Sequence, residues 1–156
     1  MPLKVAEVLT TQAVTSITVN NLDLETAKAY RLLISWQGVG NAQELMLYFN
    51  DITTGYYTEQ HYANGSSVYA GNLGAVSRVS YAYSNQIAMT EAIMMKTPNN
   101  YTLVSSHTAI WSGSACVTMF HTIRWGNTAN PVKIELRSGY NYGIASGSRL
   151  IILKMW

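Results

Sequence analysis

A single cysteine, few charges and no long apolar run remove most of the usual functional devices from this chain. Cys116 stands alone among 156 residues, so no internal disulfide can form and stability has to come from a packed core or from oligomerisation. Cys116 itself is expected as a small buried hydrophobe. Charged residues make up 12% of the chain, about half the usual globular share. The net charge of +2 steers no ligand and is a poor match for a nucleic-acid binder. No stretch reaches the roughly 20 apolar residues of a membrane span, and MPLKVAEVLTTQAVTS lacks a continuous signal-peptide core. The expectation is a protein kept on the cytosolic side or released by lysis, with no membrane partner.

Catalytic frames are equally sparse. The carboxylates Asp23, Glu25, Glu44, Asp51, Glu59, Glu91 and Glu135 sit in no acid/base motif. His61, His107 and His121 lie too far apart for the i, i+2 or i, i+4 spacing of a shared metal, and each reads as a structural or surface residue. GSSVY, SGSAC and ASGSR lack the G-x-S-x-G frame of a nucleophile elbow, and GVGNAQ and GNLGAV open no helix that would hold a phosphate. Neither a catalytic residue, a metal nor a cofactor is expected. Asp51, in YFNDITTGYY, reads first as an Asx-turn anchor and second as a ligand for a metal or a sugar hydroxyl.

What the chain does have is β-patterning. AYRLLISW puts Leu32, Ile34 and Trp36 on one face, ELMLYFND puts Leu45, Leu47 and Phe49 inward, and PVKIELRSG alternates Val132, Ile134 and Leu136 with Lys133, Glu135 and Arg137. SACVTMFHTIRW is apolar on both faces, as for a strand covered on both sides in a sandwich or at a subunit interface. EAIMMKT reads as a further strand. NNLDLETAKAY carries the best helical signal, at most about three turns, with Asp23 as its cap. Residues 55 to 85 read as long loops or edge strands. Turn signals recur at the spacing of antiparallel all-β folds, so a single all-β domain is expected. Residues 1–16 are taken as an N-terminal arm and 17–156 as the domain.

The closing segment SRLIILKMW points Leu150 and Ile152 one way and Ile151, Leu153 and Met155 the other. Such a strand belongs in the middle of a sheet or has one face against another subunit. Aromatics are the one enriched resource, tyrosine above all, and tyrosine combines large contact area with a hydroxyl suited to sugars or a facing subunit. Candidate interface residues are Trp156, Met155 and Ile151, with Tyr56 and Tyr57. In a second reading Tyr56, Tyr57, Tyr62 and Asp51 stack on and hydrogen-bond a glycan.

IASGSRLIIL resembles the ending, of the form F-A-x-G-S-x-x-x-L-Y-G, of small β-domain proteins encoded in the structural gene clusters of tailed bacteriophages. LDLETAKAYRLLISW, ELMLYFNDITTGYY and WGNTANPVKIELRSG are similar, in order, to further strands of those proteins. Phe49, Asn50 and Asp51 fall on the family's F-N turn, and Gly147, Ser148 and Arg149 on its G-S-R part. Here the chain ends LKMW rather than LYG, which favours Trp156 packing on a neighbour. The resemblance implies a jelly-roll-like antiparallel β-sandwich without catalytic activity, displayed on the virion as a homotrimer. Its partners would be copies of itself and the major capsid protein or tail proteins. A capsid decoration role is favoured, with a tail-tip, fibre or baseplate accessory that binds a host surface glycan as the alternative.

Overall fold

The computed structural model describes residues 2–64, 66–140 and 142–155. Among these residues, twelve strands build two facing antiparallel sheets, a β-sandwich, with one helical turn between the second and third strands. The strands are β1 (Leu3–Leu9), β2 (Ser16–Val19), β3 (Ala29–Gln37), β4 (Gln43–Phe49), β5 (Tyr56–Asn64), β6 (Ser67–Gly74), β7 (Arg78–Ala82), β8 (Ile87–Lys96), β9 (Thr102–Trp111), β10 (Cys116–Trp125), β11 (Ile134–Ser138) and β12 (Arg149–Lys154). The large sheet runs β1-β12-β3-β8-β9-β10-β5-β6 and the small one β2-β11-β4-β7. The chain changes sheet at eight of the eleven strand-to-strand connections; β5–β6 is a hairpin and β8–β9–β10 a meander within the large sheet.

Alternation explains the core. Leu32, Ile34 and Trp36 of β3 and Leu45, Leu47 and Phe49 of β4 all face inward and are buried, as the pattern predicts. Phe49, Tyr56 and Trp125 form one aromatic cluster, with the Phe49 and Trp125 rings 5.0 Å apart. One group of buried polar side chains is satisfied as a chain: the Trp36 indole donates to Ser80 Oγ at 2.8 Å, Ser80 Oγ lies 2.6 Å from Thr90 Oγ1, and Thr90 Oγ1 lies 2.8 Å from that of Thr108.

The closing strand is placed by this frame. β12 lies between β1 and β3, pairing Leu150 with Val8 and Ile34, and Ile152 with Ala6 and Leu32. Leu150 and Ile152 are wholly buried, each contributing about 1.5–3 kcal/mol of transfer free energy. Gly147 adopts φ +83, a conformation that favours glycine, and its N–H bonds Thr10 O at 2.7 Å. Ser148 N–H then bonds Thr10 Oγ1 at 2.9 Å, while Ser148 Oγ accepts from Gln37 N. The small-residue turn thereby latches the ends of β1 and β3 to the start of β12.

Several expectations change. The stretch taken as an arm contributes β1, an edge strand of the large sheet. The helix is one turn, α1 (Leu24–Ala27), capped by Asp23, whose Oδ1 accepts from Thr26 N. It stops at Lys28, at φ 65, because Ala29 and Tyr30 are drawn into the core as the start of β3. Val132 lies outside the strand it was assigned to and is exposed, since β11 begins at Ile134. Cys116 is exposed rather than buried. The stretch from 55 to 85 forms β5, β6 and β7; β6 and β7 are edges, but β5 is interior, between β10 and β6.

Candidate functional site

β10 shows why its two apolar faces differ in fate. Val117, Met119, His121, Ile123 and Trp125 face the core, whereas Phe120 points outward and is half exposed. The same alternation on the neighbouring strands builds an outer face whose composition follows from register. One cross-strand row reads Ile151, Leu33, Glu91, His107, Phe120, His61; the next reads Arg149, Ser35, Met89, Ala109, Thr118, Ala63. A third reads Ala29, Met95, Leu103, Arg124, Tyr57.

This face is apolar and open at its centre. Met89 is 64% exposed, Tyr57 60% and Trp111 59%, with Ile87, Met95 and Phe120 also exposed. His107 stacks on Phe120 with ring centroids 4.4 Å apart. A shallow groove of about 370 Å³ crosses the middle, lined by Leu33, Met89, Glu91, His107, Ala109 and Ile151 among others. The nearby charges are spent in pairs: Arg31 with Glu91 at 2.8 Å, and Glu7 with Lys4 at 2.7 Å and Arg149 at 2.5 Å. Hydrogen bonds from Lys4 and then Arg149 hold the Glu7 carboxyl below its usual range.

A second feature lies at the edge of the small sheet, between β5 and β10 of the large sheet and β7 of the small one. Gln60, Tyr62, Arg78, Tyr81, Tyr83 and Met119 line a cleft of about 210 Å³ there. Tyr62 stacks on Tyr69 with centroids 4.6 Å apart, and Tyr81 meets Tyr83 edge-on at 5.3 Å. The Arg78 guanidinium is fixed by the Glu44 carboxylate and by Gln60 Oε1 at 2.8 Å. Burial pulls its pKa below that of an ordinary guanidinium. Behind it His121, next to Gln60 in register, is 1% exposed, and neither ring nitrogen has a hydrogen-bond partner among the described residues. Burial first, and the Arg78 charge second, push His121 down to about 4, so it is neutral at pH 7.

The residues singled out from sequence do not converge on one site. Tyr57 and Ile151 lie on the outer face of the large sheet, Ile151 half-buried in its groove. Met155 continues beyond β12, its N–H bonded to Ala29 O at 3.1 Å. Trp156 lies outside the described residues. Tyr56 serves neither as interface nor as glycan ligand. It is 1% exposed, and its hydroxyl accepts from Phe49 N at 2.7 Å and donates to Ile52 O at 2.9 Å. Asp51 is exposed but ion-paired to Lys133 Nζ at 2.5 Å, in a turn where Asn50 Oδ1 accepts from Val132 N and Lys133 N. Asn50 thus ties β4 to the start of β11, and Asp51 adds an ion pair to Lys133. Tyr62 alone of the glycan candidates lines a cleft.

Sequence reasoning missed Met89, Trp111 and Phe120 on the outer face and Arg78, Tyr81 and Tyr83 in the cleft. The two-sided apolar pattern of SACVTMFHTIRW was a signal for the first group. No local signal exists for the second, because its strands belong to different sheets.

No protein-family model and no curated protein matches the chain. Among solved structures, a protein of unknown function from Shewanella oneidensis is similar over 98% of this chain and 77% of its own, at 6% identity and a TM-score of 0.22. A likeness at that level carries no argument about what this chain does.

Proposed function

We propose that this protein is a non-enzymatic structural component of a tailed-bacteriophage virion, a capsid decoration protein that acts by surface contact. The observation that carries this reading is the outer face of the large sheet. Exposed large apolar side chains gathered on one sheet face, here Met89, Phe120, Trp111 and Ile87, support a contact surface. The repeated crossing of the chain between sheets supports the jelly-roll-like form that the sequence resemblance implies. The carboxylates support a non-catalytic role: Glu7, Glu25, Glu44, Asp51, Glu91 and Glu135 are all engaged in ion pairs.

In this reading copies associate as homotrimers and bridge major capsid subunits, and the binding free energy adds to shell stability by mass action. The experiment is the copy number per particle, by quantitative mass spectrometry of purified virions. Hundreds of copies are expected. A few to a few tens would move the protein to the tail, and its absence from virions would overturn the reading. The outer face is tested with Met89→Glu combined with Phe120→Glu. Both side chains point into solvent, so folding should persist while shell occupancy falls at least tenfold, since desolvating either apolar group is worth about 1.5–3 kcal/mol. Unchanged occupancy would remove this face from the contact.

A further inference from the structure

We infer that the cleft between β5 and β10 of the large sheet and β7 of the small one is a binding site for a neutral pyranose sugar. This goes beyond the assembly reading and does not depend on it, because the cleft opens between the sheets while the proposed contact face lies on the outside of the large one.

Three observations define the ligand. The first is size: about 210 Å³ is below the roughly 300–1,000 Å³ of pockets that take drug-sized molecules, and suits one sugar ring. The second is the wall. Tyr62, backed by Tyr69, comes from one sheet and Tyr81 with Tyr83 from the other, so aromatic rings border the cleft from both sides. An aromatic face packs against the C–H face of a pyranose while the phenol hydroxyls meet its rim of hydroxyls. Gln60 adds an amide whose oxygen is held by Arg78, which leaves its NH₂ to donate.

The third observation is charge. The Arg78 guanidinium would by itself favour a carboxylated or phosphorylated sugar. Glu44, however, is paired to it, and both side chains are largely buried, at 17% and 16% exposure. The pair is close to neutral, and a second anion would meet the Glu44 carboxylate without a free cation to answer it. A neutral hexose or N-acetylhexosamine meets no such cost.

The test is saturation-transfer difference NMR on the full chain with glucose, galactose, mannose, N-acetylglucosamine and, as the anionic comparison, glucuronate. At least one neutral sugar should receive saturation on its ring protons with a millimolar dissociation constant. Tyr83→Ala should weaken it at least tenfold. Tyr62→Phe, which keeps the ring and its stacking on Tyr69, should cost about two- to tenfold through the lost hydroxyl. Val132→Ala, on an exposed loop, should change nothing, and circular dichroism reports whether each variant is folded. Absence of transfer to every neutral sugar, undiminished binding by folded Tyr83→Ala, or a preference for glucuronate would each overturn the proposal. None of these outcomes touches the outer-face variants, so the two readings fail separately.

Discussion

Lowering the pH from 7 to 5 should destabilise the fold by about 2 kcal/mol through one side chain, His121. Its imidazole is enclosed by Gln60 of β5, Ser106 of β9 and Arg78 of β7, and Arg78 is the charged group that acts on it. The folded-state pKa is depressed from 6.5 to about 4. The unfolded chain therefore binds a proton through a pH range in which the folded chain does not, and stability falls as pH falls. The loss begins near the unfolded pKa of 6.5 and is complete below about 4. At pH 7 little of it has developed. At pH 5 nearly every unfolded molecule and few folded ones carry the proton, which gives the figure of about 2 kcal/mol. Below pH 4 the loss saturates at about 3 kcal/mol.

The assay is urea unfolding at pH 7, 6 and 5, with His121→Met beside the natural chain. Methionine is apolar and adaptable, so it fills the site without the two unpartnered nitrogens. The variant should be as stable as the natural chain at pH 7 or more so, and should lose most of its pH slope. A slope retained in folded His121→Met would refute the argument, as would an NMR titration of the His121 ring centred near 6.5. Exposed His61 and His107 remain in both proteins and cancel in the comparison.

Two further substitutions probe buried polar atoms. Tyr56→Phe leaves Phe49 N–H and Ile52 C=O without their partner, and should cost about 2–4 kcal/mol in chemical denaturation; a loss below half a kilocalorie would mean that the hydroxyl is not structural. Ser80→Ala leaves the buried Trp36 indole N–H unpaired and cuts the chain to Thr90 and Thr108, for which about 1–3 kcal/mol is expected, read as a lower urea midpoint with an unchanged slope.

The parts of the fold legible in sequence are those where alternation is strict. β3 and β4 could be assigned face by face because one face is nearly all large and apolar. Residues 55 to 85 resisted because inward positions there are filled by Thr58, Gln60, Ser77 and Ser80, polar groups buried in the interior that erase the period. The helical signal at 24–29 was real but short, since burial of Ala29 and Tyr30 outweighs the small propensity gain of a second turn. The turn after β4 was legible as a turn, but the side chain that anchors it is Asn50, whose Oδ1 accepts from Val132 N and Lys133 N, while Asp51 makes an ion pair to Lys133. Tyr56 was misread: a tyrosine in a TGYY stretch looks exposed, and only the register with β10, which sets it opposite Trp125, shows that it is core.

The two surface features share a physical logic. The chain is poor in charge, and most of the charges it has are consumed in local ion pairs. Glu7 answers both Lys4 and Arg149, Arg31 answers Glu91, and Arg137 reaches back two residues to Glu135 on its own strand. Paired charges project little field beyond a Debye length of about 8 Å, so neither the outer face nor the cleft can draw a partner from a distance. Selectivity then has to come from fit at contact: apolar rows of fixed register on the sheet, and opposed tyrosines in the cleft. A surface of that kind binds slowly and weakly as a single copy. It becomes effective when many copies are held on one particle, where the second contact is intramolecular and affinities compound. The scarcity of charge, the exposed sheet and the tyrosine cleft all fit the assembly role proposed above.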